Sequence, residues 1–355
     1  MKTASVIIDN YNYGHFLRKA IDSVLEQKRI PEEIIVVDDG STDNSAEIIR
    51  SYGDRVIPVF KENGGHGSAF NAGFRRASGD AIFFLDADDA MKPLAIDTVL
   101  RKWKPGVVMV HYYMQVIDAQ GKPSGVYPSK VEGLADGHVV SQLLETGAFP
   151  TTLTSGLAFS RDALDKVFPI DETVFRQAAD GYLVRAVGIQ GPVQTIDQCL
   201  AIWTRHGAND SRIAPDYDGM LKSIRRQMMY MKNELGEVPR LAKQFGYEAP
   251  ARVEDRNLKY LYYRLISLTM DPVGHPISDD SSFSLWKMFC QARLKESRPF
   301  TQKITGTVLA SLVFAAPASL SIPIVRFRMV SDSRPDWVKT IDRFRRYLKI
   351  YHSNI

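Results

Sequence analysis

Cysteine is nearly missing: 355 residues contain two, Cys199 and Cys290. Two thiols give no disulfide framework and suit a reducing compartment. No spacing of Cys and His resembles a zinc site. Low-complexity tracts and internal repeats are absent from the sequence. Charge of one sign is also scarce, since 45 Lys and Arg against 41 Asp and Glu leave only +4. With so small an excess and no recognition module in the sequence, nucleic acid is not expected as a partner. A strand pattern begins at residue 4, so no signal peptide is expected. What remains is 45% hydrophobic and 24% charged. That is ordinary globular composition, enough for one large domain and an extension.

Against this plain background one cluster stands out. Asp86-Ala87-Asp88-Asp89 closes the apolar run Ala81-Ile82-Phe83-Phe84-Leu85. Aspartate is a poor strand residue, and crowded carboxylates oppose each other's ionisation. A cation between them is the simplest explanation. Mg²⁺ or Mn²⁺ prefers such hard oxygens and shares its shell with phosphate. The alternative is a polar turn whose aspartates cap a helix beginning near Pro93.

The flanking sequence supplies a frame. Apolar residues 4–8 lead through a turn-rich loop, 9–14, into the helical spacing of Phe16, Leu17, Ala20, Ile21, Val24 and Leu25. Ile34-Ile35-Val36-Val37 runs into Asp38-Asp39-Gly40-Ser41-Thr42-Asp43. A helix with Ala46, Ile48 and Ile49 follows, with Asn44 and Glu47 spaced as a capping pair. Val56 to Phe60 is a third strand. The loop Asn63-Gly64-Gly65-His66-Gly67 opens a helix with Ala69, Phe70, Ala72 and Phe74, and 81–85 is the fourth strand. Four alternations of strand and helix predict an open, mostly parallel sheet with helices on both faces. Polar chemistry then gathers at the carboxyl ends of the strands.

In order and spacing, five of these motifs resemble the family 2 glycosyltransferases. They are Ser5 to Ile8 with Tyr11-Asn12; Ile35 to Asp43; Asn63-x-Gly65; Ala69-x-Asn71-x-Gly73 with Ser78-Gly79-Asp80; and Leu85 to Asp89. The resemblance implies an α/β chain of the Rossmann-like glycosyltransferase-A fold. It extends more loosely to about residue 211. Two positions depart from the pattern: Asp9 stands where proline is usual, and Phe70 where many members carry arginine. The nucleotide site implied comprises Asp9, Tyr11, Asp39, Asn63, Gly65, Asn71 and Asp86. Tyr11 would stack on the base, Asp39 would accept from the base N3–H of uracil or thymine, Asp86 would bind ribose, and Asp88 the metal.

Further along, Thr154 to Arg161 reads as a strand leading into a helix start at Asp162. Gln177 to Arg185 resembles the family's Glu-Asp motif, with Ala179 replacing the glutamate. The resemblance makes Asp180 the general base, although aspartate there also suits a helix cap. Trp203 to Ser211 resembles the family's closing loop. It implies His206 as a metal ligand or a diphosphate contact and Arg205 as a partner for the leaving diphosphate. His66 has a weaker pattern, and His15, His111 and His138 have none.

After residue 211 the character changes. Helices are expected around Met220 to Met231 and over 258–270, with a basic amphipathic helix over 285–295. Residues 304–325 hold no charged side chain, yet Thr, Ser, Gly and Pro dilute them. Residues 326–355 carry eight Lys and Arg against three Asp, a net of +5. Such segments favour an anionic membrane surface, the alternative being a helical lid.

The sequence therefore predicts a catalytic domain over 1–211, with a nucleotide half, 1–100, and an acceptor half, 101–211. A mainly α-helical C-terminal extension, 212–355, follows and is expected to meet a membrane through 285–355. The activity implied is inverting transfer from a nucleoside-diphosphate sugar, uridine-linked for preference, to a glycan or lipid-linked acceptor, with Mn²⁺ or Mg²⁺. The place implied is the cytoplasmic face of a membrane, peripheral or monotopic. Alternatives are a polyprenyl-phosphate sugar transferase, a sugar-phosphate nucleotidyltransferase and a non-catalytic binding module. The nucleotidyltransferase would need a Gly-rich, Arg-containing N-terminal loop with a lysine, which Asn10-Tyr11-Asn12 is not.

Overall fold

A computed structural model describes residues 2–131, 133–207, 209, 213–214, 216–295, 300–315 and 325. The chain divides into two compact units. The first comprises residues 1–143, 148–206 and 241–247, and the second 144–147, 207–240 and 248–355.

The first unit opens with the expected alternation: β1 (Ala4–Asn10), α1 (Gly14–Leu25), β2 (Glu33–Asp38), α2 (Ser45–Ser51), β3 (Ile57–Phe60), α3 (His66–Arg76) and β4 (Ala81–Asp86). These four strands pair in parallel, in the order β3-β2-β1-β4. Strands covered on both faces read as unbroken apolar runs, and β1, β2 and β4 are buried along nearly their whole length. Leu17, Ile21 and Val24 of α1 pack against Val6 and Ile8 in this core. Each contributes about 1.5–3 kcal/mol by burial, and Leu17→Ala would cost roughly 2–5 kcal/mol.

The sheet continues through β5 (Ala90–Met91), α4 (Ala95–Lys102), β6 (Met109–Asp118), β7 (Pro123–Tyr127), α5 (Val140–Thr146), β8 (Leu157–Ser160), α6 (Arg161–Leu164), α7 (Ala179–Gly188) and β9 (Val193–Arg205). Here pairing is mixed: β8 is antiparallel to β4 and β6, while β9 runs parallel to β6. Polar residues mask β6 in the sequence. His111 is one of them, fully buried, with Nδ1 on Thr151 Oγ1 at 3.0 Å and Nε2 on Thr195 Oγ1 at 2.9 Å. Burial lowers its pKa to about 4, so it is neutral and structural.

Two local expectations change. Asn44 makes no side-chain cap; Asp43 takes the Ser45 N–H instead at 3.0 Å and the Gly14 N–H at 2.9 Å. The expected strand from Thr154 begins as a single 3₁₀ turn, Thr154–Gly156, before β8.

Helices make up the rest: α8 (Tyr217–Gly236), α9 (Val238–Gln244), α10 (Leu258–Met270), α11 (Ser282–Lys295) and α12 (Phe300–Ala315). Asp216 caps α8 by accepting the Gly219 N–H at 2.8 Å, and Asn257 caps α10 through Tyr260 at 3.1 Å. Met220, Ile224, Met228, Leu261, Leu265 and Phe289 form the core of the second unit. Buried Arg264 is paired with Asp255 at 3.0 Å and with Asp280, so its charge is compensated. Part of the uncharged stretch, 316–324, and the basic tail 326–355 lie outside the described residues. No described helix is long and apolar enough to cross a membrane.

Candidate active site

Parallel pairing brings the carboxyl ends of β1, β2 and β4 side by side. In register, Asp9 of β1 sits opposite Asp86 of β4, and Asn10 opposite Asp38 of β2. Two acidic centres result, and their surroundings differ.

The first centre is Asp39. It is 3% exposed. Its Oδ1 accepts from Lys61 Nζ at 2.5 Å and from the Gly64 N–H at 2.9 Å. Its Oδ2 accepts from Asn63 Nδ2 at 3.0 Å and the Gly65 N–H at 2.7 Å. A carboxylate has about four lone-pair sites, and protein donors take all of them. Asn63 and Gly65, expected at the nucleotide, thus build the cradle for Asp39. Gly65 has φ 86°, and a Cβ there would collide with the Arg176 carbonyl, so only glycine fits.

The second centre has few donors. Carboxylate oxygens of Asp86, Asp88 and Asp89 lie within 4.8 Å of one another, as do ligand atoms of Asp9, His66 and Asp86. Burial raises the Asp9 pKa to about 6; His66 pulls it back, and Asp88 and Asp180 push it up. Asp86 rises well above the ordinary carboxylate range through burial, then through Asp9, Asp89, Asp88 and Asp180. Asp89 also rises, through burial and Asp88, although Ser155 and the Thr204 N–H at 3.0 Å hold its ionised form. Asp9 Oδ1 is buried without a hydrogen-bond partner.

His206 Nε2 sits 2.8 Å from Asp88 Oδ2, and its ring stacks on Phe16 at 4.7 Å. Neighbouring ligands of a Mg²⁺ or Mn²⁺ octahedron are about 3 Å apart, given bonds of roughly 2.1 Å. The donor set is therefore chemically suited to a divalent cation: hard oxygens, an excess of negative charge and one imidazole.

Asp180 enters from the other half of the sheet. It lies in the first turn of α7, and Ala178 occupies the cap position in the left-handed region at φ 57°. The carboxylate of Asp180 accepts no hydrogen bond from the described residues, so it is no cap. The N–H of the preceding residue, Ala179, donates to His66 Nδ1 at 3.3 Å, and His66 groups with Asp9 and Asp86, which sets the start of α7 beside the cluster.

Other expected residues fall elsewhere. Tyr11 is 47% exposed beside Asn12, whose left-handed φ of 58° and bond to the Thr42 N–H at 2.7 Å fix the loop. Asn71 does not face this site. Its amide donates to the Ile170 carbonyl and to Glu172 Oε1, both at 2.9 Å, and its oxygen accepts the Ile170 N–H at 2.8 Å. With both kinds of group spent, it latches the 170–172 loop. Arg205 is exposed at the end of β9 in no ion pair among the described residues. Sequence reasoning passed over Ser155, Lys61 and Lys19. Lys19 reaches Thr204 Oγ1 at 3.4 Å, and burial lowers its pKa while Asp89 and Asp88 oppose that. It also rated His66 as weak, and His66 stands within the cluster.

A family model described as Glycosyl transferase family 2 matches residues 5–168. An uncharacterized glycosyltransferase of Nostoc sp. is 37% identical over 265 residues, covering 72% of this chain and 80% of that protein. The chain belongs to the family 2 glycosyltransferases. Chondroitin synthase of Pasteurella multocida matches a shorter part of this glycosyltransferase, 38% identical over 102 residues, covering 28% of the chain and 11% of that enzyme. Among solved structures, S. aureus TarS 1–349 in complex with UDP-GlcNAc aligns with a TM-score of 0.50 at 14% identity, covering 92% and 91% of the two chains. That likeness is one of fold, the glycosyltransferase-A architecture.

Proposed function

We propose that this glycosyltransferase transfers a sugar with inversion from a nucleoside-diphosphate donor, uridine diphosphate preferred, to an acceptor hydroxyl. One observation carries the reading. Asp180, a carboxylate with no hydrogen-bond donor among the described residues, stands at the helix start that His66 joins to a buried carboxylate cluster calling for a cation. Base and leaving-group site thus share one place on the sheet edge.

In this reading Asp86, Asp88 and Asp89 would hold Mn²⁺ or Mg²⁺, with His206 on Asp88, which moves Asp86 from the ribose, where the resemblance puts it, to the cation. A cation bound there neutralises charge developing on the departing diphosphate. Asp180 accepts the proton as the acceptor oxygen attacks the anomeric carbon. The new carbon–oxygen bond forms while the bond to the diphosphate breaks, and the nucleoside diphosphate leaves. A carboxylate base so placed contributes typically 10²–10⁴-fold. Tyr11, exposed at its loop tip, stacks on the base. Asp39 accepts the base N3–H once Lys61, the one ammonium among its four donors, turns away.

For the acceptor we propose a lipid-linked glycan met at an anionic membrane surface on the cytoplasmic side. The support is a stripe of exposed apolar residues on α12, Ile304, Val308 and Leu312, with Phe283 and Leu294 on α11, together with the +5 charge of residues 326–355. Sedimentation with anionic vesicles, compared with neutral ones, tests that part.

The chemistry is tested with a panel of uridine, guanosine, thymidine and cytidine diphosphate sugars, following release of the nucleoside diphosphate by slow hydrolysis. Release from uridine or thymidine donors in Mn²⁺, lost in chelator, is the expected result. Equal release in chelator would remove the cation from the reading, and preference for cytidine would remove Asp39.

A further inference from the structure

His66 and Gly67 are tied to the opposite half of the sheet by three hydrogen bonds. The His66 backbone N–H donates to the Arg176 carbonyl at 2.7 Å, and the next N–H, of Gly67, donates to Phe175 at 3.0 Å. Its ring Nδ1 accepts the Ala179 N–H at 3.3 Å. That N–H belongs to the first residue of α7, a helix whose own cap residue, Ala178, has no side-chain acceptor to offer. The first N–H groups of a helix need acceptors from outside it, and a ring from α3 supplies one.

The same bond decides the tautomer. With Nδ1 accepting, the neutral ring carries its proton on Nε2. That atom is buried, has no hydrogen-bond partner and lies 3.8 Å from Asp9 Oδ2. The Phe70 ring packs edge-on against it with centroids 4.1 Å apart, and Phe70 stacks on Phe84 of β4. The imidazole therefore has one nitrogen bonded to the helix that bears Asp180, while the other faces the carboxylate cluster at 3.8 Å. Gly65 and Gly67 permit this approach, because a Cβ on either would strike the Arg176 or Phe175 carbonyl.

We propose that His66 is a positioning residue for the transfer reaction: it fixes the start of α7, and with it Asp180, relative to the carboxylate cluster. This rests on the reading of Asp180 as the base. Its place at the turn between the glycine-rich loop and α3 would make the base's position depend on the donor half of the sheet. Catalytic groups misplaced by small distances lose rate far more than binding.

The test compares two isosteres by hydrolysis of the nucleotide sugar that the donor panel selects, with water as acceptor. His66→Asn places an amide oxygen where Nδ1 lies and keeps the bond to Ala179. His66→Gln places its polar group nearer Nε2 and loses that bond. His66→Gln should lower kcat by about 10- to 100-fold, the range for outer-shell positioning groups, with donor KM within about 2-fold. His66→Asn should restore kcat to within about 3-fold of the parent. On an Asp180→Asn background, His66→Gln should cost little more, since groups acting as a unit are not additive. Equal losses in the two variants, in turnover or in folded yield, would overturn the proposal, as would full additivity with Asp180→Asn. Undiminished turnover of Asp180→Asn with His66 intact would instead overturn the base assignment.

Discussion

Asp39 and Asp86 stand at the carboxyl ends of β2 and β4, the two strands that flank β1, yet their environments are opposites. Asp39 meets an ammonium, an amide and two backbone N–H groups. Asp86 meets three other carboxylates across short distances and a fourth from α7. The first centre is complete within the protein, and its charge helps to hold the glycine-rich loop. The second crowds like charges with few donors, which costs stability unless something positive arrives. Acidic residues at strand ends therefore fall into two kinds, and the count of donors around each carboxylate separates them.

The largest effects should come from breaking the second centre. Asp180→Asn should lower turnover by about 10²–10⁴-fold and leave the melting temperature nearly unchanged, because Asp180 accepts no hydrogen bond from the described residues. A fall in melting temperature with turnover per folded molecule intact would make Asp180 a structural group.

Removing the charge of the first centre should lower stability as well as donor binding. Asp39→Asn leaves Lys61 and one backbone N–H facing an amide, and should destabilise by about 3 kcal/mol. Urea unfolding measures it. A loss below about 0.5 kcal/mol, the range of ordinary surface changes, would show that the cradle matters little to the fold.

The pH dependence sharpens the contrast. Asp9 has a folded pKa raised from 3.8 to about 6, so the folded state binds the proton more tightly than the unfolded one. Its contribution is present at low pH and is lost as pH rises from about 4 to about 6. The metal-free protein should thus lose on the order of 2–3 kcal/mol over that window, and Asp9→Asn should flatten the slope. Thermal melts across the window decide it, and a slope of opposite sign would mean the cluster is screened.

The smallest effect concerns the rim of the first centre. Lys61→Met frees one lone pair on Asp39. It should cost about 1 kcal/mol of stability while uridine diphosphate binds as tightly or more tightly by calorimetry. Weaker binding would place Lys61 itself on the nucleotide.

Much of this was legible in the sequence, and the reason is local. Strands β1, β2 and β4 are buried on both faces, so their apolar runs show without any partner. Asp86, Asp88 and Asp39 sit in short motifs next to those runs. The parts that escaped depend on distant partners. Asn71 has an ordinary motif position, but its amide is spent on residues 170–172, about a hundred positions away. Asp39 looks free in sequence, and only folding brings Lys61 to it across 22 positions. His66 carries only a weak pattern because the groups it joins, Asp9 and Ala179, lie far from it and from each other in the sequence. Strand β6, with His111 and two tyrosines, hides its burial behind polar side chains that find partners only in the folded state.

The difference between the two centres is tested most directly by thermal melting at neutral pH with and without Mn²⁺. Binding at a hundredfold excess over Kd would stabilise the parent by about 2.7 kcal/mol. Asp86→Asn should melt higher than the parent without metal, because a repelling charge is gone, and should respond little to Mn²⁺. A parent unmoved by Mn²⁺, together with an Asp86→Asn variant as destabilised as Asp39→Asn, would contradict the account.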